Sequence, residues 1–95
     1  MKKSNENIVF VGGKPFMNYV TGVVLQFGNG ADEVVIKSRG KFISKAVDVA
    51  EVSRKKFLKD MTATISNIKI DSEEFQNKEG KKVNVSCLEI TLKKD

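Results

Sequence analysis

Between Val34 and Val47 the sequence VVIKSRGKFISKAV changes its structural period at a single glycine. Val34-Val35-Ile36 is β-branched throughout, as in a strand covered on both faces. After Gly40, the residues Ile43, Ala46, Val47, Ala50 and Phe57 mark one stripe of a helix whose other side carries Asp48, Glu51, Lys55 and Lys56. A strand that runs into a helix through a tight turn must fold the helix back over a sheet. The same unit occurs once before. Ile8-Val9-Phe10-Val11 is a short apolar run ended by Gly12-Gly13, and Pro15 suits the first turn of a helix. Met17, Val20, Val23, Val24 and Phe27 then form a helical stripe that stops at Gly28-Asn29-Gly30.

The last third alternates with a period of two. Thr62 to Ile70 and Val83 to Leu92 read as strands, joined through Asn77-Lys78-Glu79-Gly80 as a hairpin loop. In each strand the apolar phase slips once. Pairing Ile65 with Ile90 and Ile68 with Cys87 makes both strands switch face at one level, which predicts a long twisted hairpin whose outer half packs on something other than its own helices. The order is β-α-β-α-β-β. It predicts an α+β two-layer sandwich with two helices on one face of a four-stranded mixed sheet and a long terminal β-hairpin. The length of 95 residues fits one domain over 1–95, with residues 1–6 expected to be disordered.

The formal net charge is +5, and it is unevenly placed: residues 1–60 hold 11 basic against 6 acidic side chains, whereas residues 61–95 hold 6 of each. An excess of this kind points to a polyanionic partner. With no histidine, catalysis through imidazole is excluded, as are imidazole metal sites. The single Cys87, in a strand-like stretch, reads as a buried, inert thiol. The acidic residues show neither paired-carboxylate nor metal spacing, so no metal or cofactor is expected. No apolar run approaches a membrane span, and the chain reads as soluble and cytoplasmic.

The two strand-to-helix turns carry the chemistry. Lys37, Arg39, Lys41 and Lys45 occur with no carboxylate among them, and Lys14 sits in the turn Gly12-Gly13-Lys14-Pro15. In a β-α-β layout both turns lie on one edge of the sheet, so these cations should converge as a grip for phosphates. The first turn lacks the spacing of a Walker A loop. Asn18 and Tyr19, early in the first helix, can reach the same edge, though Tyr19 fits packing equally well. Lys78, Lys81 and Lys82 at the hairpin loop suit either a solubilising tip or a nucleic-acid contact.

The segments GGKPFMNYV, VVIKSRGKFISKAVDVAEVSRKKFL and VNVSCLEITL, in this order and spacing, resemble the Alba family of small dimeric chromatin and RNA-binding proteins. The resemblance covers about Asn7 to Lys93. It implies a fold akin to the C-terminal domain of translation initiation factor three, and a homodimer that embraces double-stranded DNA or RNA. By position, Lys14, Arg39, Lys41 and Lys45 fall in the binding loops and helix start, and the hairpin lysines in the arms. Phe57 matches an aromatic used between dimers, although in the sequence itself it equally suits the end of the helix stripe. Many members carry two basic residues before the proline, and here the first is Gly13. The chain therefore lacks a cation there, and acetylation of a lysine at that place, where relatives use it, does not carry over by position. The expected function is sequence-tolerant, chromosome-associated nucleic-acid binding through backbone phosphates, without catalysis. The rival expectations are a small enzyme acting on RNA or a phosphorylated ligand, and a ribosome-associated protein that binds structured RNA.

Overall fold

The computed structural model describes residues 7–94, so the expectation about residues 1–6 lies outside the described residues. The elements run β1 (Ile8–Val11), α1 (Phe16–Gly28), β2 (Glu33–Arg39), α2 (Ile43–Val52), β3 (Ala63–Gln76) and β4 (Lys82–Lys94). The sheet order is β1-β2-β4-β3, with β1 parallel to β2 and the other neighbours antiparallel. This is the two-layer α+β arrangement that the sequence predicts. Val20, Val23 and Phe27 of α1 and Ala46, Val49 and Ala50 of α2 are buried in one cluster with Val34 and Ile36 of β2 and Leu88, Ile90 and Leu92 of β4.

The stop after α1 follows from its glycines. Gly30 adopts φ +102, Ala31 N–H donates to the Gln26 carbonyl at 3.0 Å, and Gly30 N–H donates to that of Phe27 at 3.1 Å. These two bonds close the helix in a Schellman motif.

At the end of α2 the structure departs from regular periodicity. The chain continues through a π-helical turn, Ser53–Phe57, and then a short 3-10 turn, Lys59–Met61. A π turn holds one more residue than an α turn, so it shifts the buried stripe by one position. Ser53 is fully buried, and the next side chain delivered to the core is Leu58 (1% exposed) rather than Phe57 (50% exposed). Phe57 therefore does not close the helix stripe.

The hairpin corrects the expected register. Ile65 faces Leu92 and Ile68 faces Ile90, an offset of two to three residues from the sequence-based pairing, and a bulge lies between Ile65 and Asn67. The two phase slips consequently have different meanings. In β3 the bulge keeps Ile65, Ile68 and Ile70 on the helix side of the sheet, because it removes one residue from the alternation. In β4 the alternation is unbroken: Leu88, Ile90 and Leu92 are buried beneath the helices, while Val83, Val85 and Cys87 point to the opposite face and are half-buried. Cys87 is thus less enclosed than its strand position predicts.

If the π turn makes Leu58 a core residue, Leu58→Ala should destabilise the protein by about 2–5 kcal/mol. Phe57→Ala should cost under about 1 kcal/mol. Thermal or denaturant unfolding of the two variants measures the difference.

Candidate nucleic-acid interface

Parallel pairing sets Val11 opposite Ser38, so the turns that follow β1 and β2 emerge side by side. The second requires glycine, because Gly40 adopts φ +58 with its α-carbon turned toward Val85. Lys45, in the first turn of α2, reaches back across the gap. Its ammonium donates to the carbonyls of Gly12 at 2.7 Å and Lys14 at 2.6 Å. The same ammonium lies 5.2 Å from the Tyr19 ring centre and 5.8 Å from that of Phe42. Tyr19 is buried in the core cluster, and its hydroxyl accepts the Lys14 N–H at 3.0 Å. Burial acts to raise the Tyr19 pKa, but the backbone of Lys14 and Gly12 and the charges of Lys45 and Lys14 together outweigh it, leaving the phenol below its ordinary value. Lys45 and Tyr19 thus fix the backbone of the first turn while the Lys14 side chain remains exposed.

Around this staple the other cations divide. Lys41 is exposed, with its ammonium 5.4 Å from the Phe42 ring centre. Asn18 shares a surface groove with Lys14 and Tyr19. Arg39 is exposed but donates to the Glu73 carboxylate of β3 at 2.9 Å. Lys37 is half-buried on the open face of the sheet, 3.7 Å from the Glu89 carboxylate. The structure therefore gathers Lys14, Arg39, Lys41 and Lys45 at one edge, as the β-α-β layout requires. It holds Lys37 away from that edge.

Lys78, Lys81 and Lys82 are exposed at the far end of the hairpin. Asn77 orders their turn: its side-chain oxygen accepts the N–H groups of Glu79 at 2.9 Å and Lys81 at 3.0 Å. At the other end of α2, Phe57 sits beside Arg54 and Lys55, which both bind Glu51. The Arg54 guanidinium, helped by Lys55, holds the Glu51 carboxyl below its usual pKa despite partial burial.

A second surface lies on the helix side of the hairpin. Val47, Ile65 and Ile68 are 42, 38 and 58% exposed and border a groove of about 200 Å³ floored by Ala50, Leu88 and Ile90, and Ile70, 77% exposed, lies on the same face of the sheet opposite Leu88. Val85, by contrast, packs on the other face under Gly40. The outer hairpin, expected to pack on something other than its own helices, therefore carries apolar side chains on both faces, Ile68 and Ile70 on the helix side and Val83 and Val85 on the other. Glu73, Phe10 and Phe42 carry no motif and escape sequence reasoning. Only the correct hairpin register would have brought Glu73 near Arg39. Among the described residues no cluster of potential metal ligands occurs, and no helix is long and apolar enough to cross a membrane.

The Alba family model matches residues 7–72. The protein called DNA/RNA-binding protein Alba of Thermoplasma acidophilum is 56% identical over 89 residues, covering 94% of this chain and 97% of that one. The DNA/RNA-binding protein Alba 1 of Archaeoglobus fulgidus is 54% identical over 89 residues, with the same coverage of each chain. The solved structure of Alba from Thermoplasma volcanium superposes with a TM-score of 0.85 at 55% identity, over 93% of this chain and all of that one. ALBA1 from Trypanosoma brucei shares the fold, with a TM-score of 0.71 at 24% identity over 97% of this chain and 72% of that one.

Because Lys45 donates two charge-assisted bonds to turn carbonyls, Lys45→Met should loosen the first turn more than the sheet. Hydrogen exchange should accelerate several-fold at Lys14, whose N–H is bonded to Tyr19, with the amides of β2 unchanged. Tyr19→Phe should speed exchange at Lys14 alone, since only that N–H loses its acceptor.

Proposed function

The chain belongs to the Alba family, and from that premise we propose that it is a homodimeric, sequence-tolerant binder of double-stranded DNA and RNA that acts on the chromosome or on cellular RNA without catalysis. The observation that carries the reading is the convergence of Lys14, Arg39 and Lys41 at one sheet edge, with Lys45 bracing the turn between them. Three exposed cations on rigid turns suit phosphates spaced along a backbone, and they make no demand on base sequence. Lys78, Lys81 and Lys82 would extend the grip along a groove from the hairpin arms. Lys37, tied to Glu89, contributes to the field of the edge rather than to a direct contact.

The Arg39–Glu73 pair adds a condition to this grip. The carboxylate occupies the guanidinium that a phosphate would take, so binding exchanges one anion for another. Both side chains are more than half exposed, and such pairs are weak. The exchange therefore costs little.

The apolar groove beside α2 is the proposed surface for the second copy. Four large aliphatic side chains partly exposed on one face form a patch that a soluble monomer seldom displays. Phe57 lies on a different part of the surface, at the far end of α2, and is free to act between dimers along nucleic acid.

In titrations against unrelated duplexes, Arg39→Glu should weaken binding to all alike and lower the slope of log affinity against log salt by about one unit. Glu73→Gln should tighten binding up to about fivefold, the limit set by an exposed ion pair. Normal binding by Arg39→Glu at moderate salt would sink the reading.

Ile70→Asp should shift sedimentation toward monomer while leaving helical content intact. Phe57→Ala should keep the dimer and its affinity for short duplexes but reduce cooperativity on long ones. A variant with unchanged cooperativity would remove Phe57 from contacts between dimers.

A further inference from the structure

Phe10 is apolar, aromatic and 65% exposed on the outer strand of the sheet. It forms the common wall of two surface grooves. One groove contains Lys14 and Asn18. The other, an open slot of about 380 Å³, contains Arg39, Phe42 and Val85. The Lys37 ammonium lies 5.7 Å from the Phe10 ring centre, so the ring already sits in a cationic setting.

We propose that Phe10 is a stacking platform for an unpaired base, and that single-stranded RNA or DNA binds across β1 with one base in the Phe10–Phe42 slot and its flanking phosphates on Lys14 and Arg39. The inference rests on the nucleic-acid reading given above and adds to it a site on β1 for an unpaired base.

The chemistry follows from the arrangement. A solvent-exposed phenylalanine beside a slot of mixed aromatic and aliphatic lining favours a flat apolar face. A base in a duplex has its faces covered by neighbours, whereas an unpaired base does not. The cations on both sides of the ring distinguish a nucleotide chain from a neutral aromatic ligand, since each can take a phosphate adjoining the stacked base. A duplex can still bind through the phosphate contacts alone, so the two substrates share cations but differ in their need for Phe10.

The chain contains no tryptophan, which supplies a direct probe. In Phe10→Trp the new indole should be quenched by a single-stranded oligouridylate or oligothymidylate, and much less by a duplex with the same number of phosphates. Phe10→Leu, which keeps an apolar side chain, should lose about five- to a hundredfold in affinity for the single strands and stay within about twofold of the parent on the duplex. The salt slope should be unchanged for both substrates, because no cation is removed. Equal losses on single strand and duplex, no loss on either, or an indole that stays bright with single strand bound would overturn the stacking site. So would a change of oligomeric state in Phe10→Leu by ultracentrifugation, which would assign the ring to contacts between copies. If the parent protein bound neither polymer, the nucleic-acid reading itself would fall, and this inference with it.

Discussion

The parallel pairing of β1 with β2 is the constraint on which the rest of the molecule depends. Two adjacent parallel strands, each followed by a helix on the same face, must release their chains at the same edge of the sheet. Side chains separated by more than twenty residues in sequence, such as Lys14 and Lys41, become neighbours without any contact having to draw them together. Mutual repulsion between those cations is then borne by a sheet and core already in place. The register Val11 opposite Ser38 sets how far the two turns stand apart. That gap is one a single lysine side chain can span.

Lys45 shows how position decides what a charge does. Its ammonium is the same group as that of Lys41, four residues away. Yet one is satisfied by two carbonyls and flanked by two aromatic rings, while the other is exposed over one ring. A cation bound to carbonyls still contributes to the field at the edge but no longer needs to reorganise when a phosphate approaches. In the proposed grip, the turn that carries Lys14 is thereby shaped before binding, which would reduce the ordering cost of association.

Much of this was legible in the sequence because it depends on local chemistry. The order of elements followed from glycines at the turns and from the change of period at Gly40. The gathering of Lys14, Arg39 and Lys41 followed from topology alone. What was not legible depends on distance in the chain. The hairpin register is set by a bulge near Ser66, and nothing in the local pattern separates a bulge from a change of face. Misplaced by two to three residues, the register hid the meeting of Glu73 with Arg39. The π turn at Ser53–Phe57 is equally silent, since no residue type marks it in the sequence, yet it decides that Leu58 rather than Phe57 reaches the core. Phe10 followed the apolar pattern of a buried strand. It is exposed because β1 is the outer strand and the open face of the sheet lacks a covering layer.

The acidic residues of β3 look misplaced in a protein with a basic working edge. Their place in the sheet gives them another purpose. β3 spans Ala63–Gln76 and has a strand partner on one side only, leaving a long border of main-chain groups open to strand addition. Straight apolar borders of this kind recruit other chains and begin aggregates. Here the bulge bends the border near its start, and beyond Ile70 it carries Asp71, Glu73 and Glu74 in close succession. A second chain arriving in register would place like charges side by side. The arm can therefore remain long without becoming a seed for fibrils.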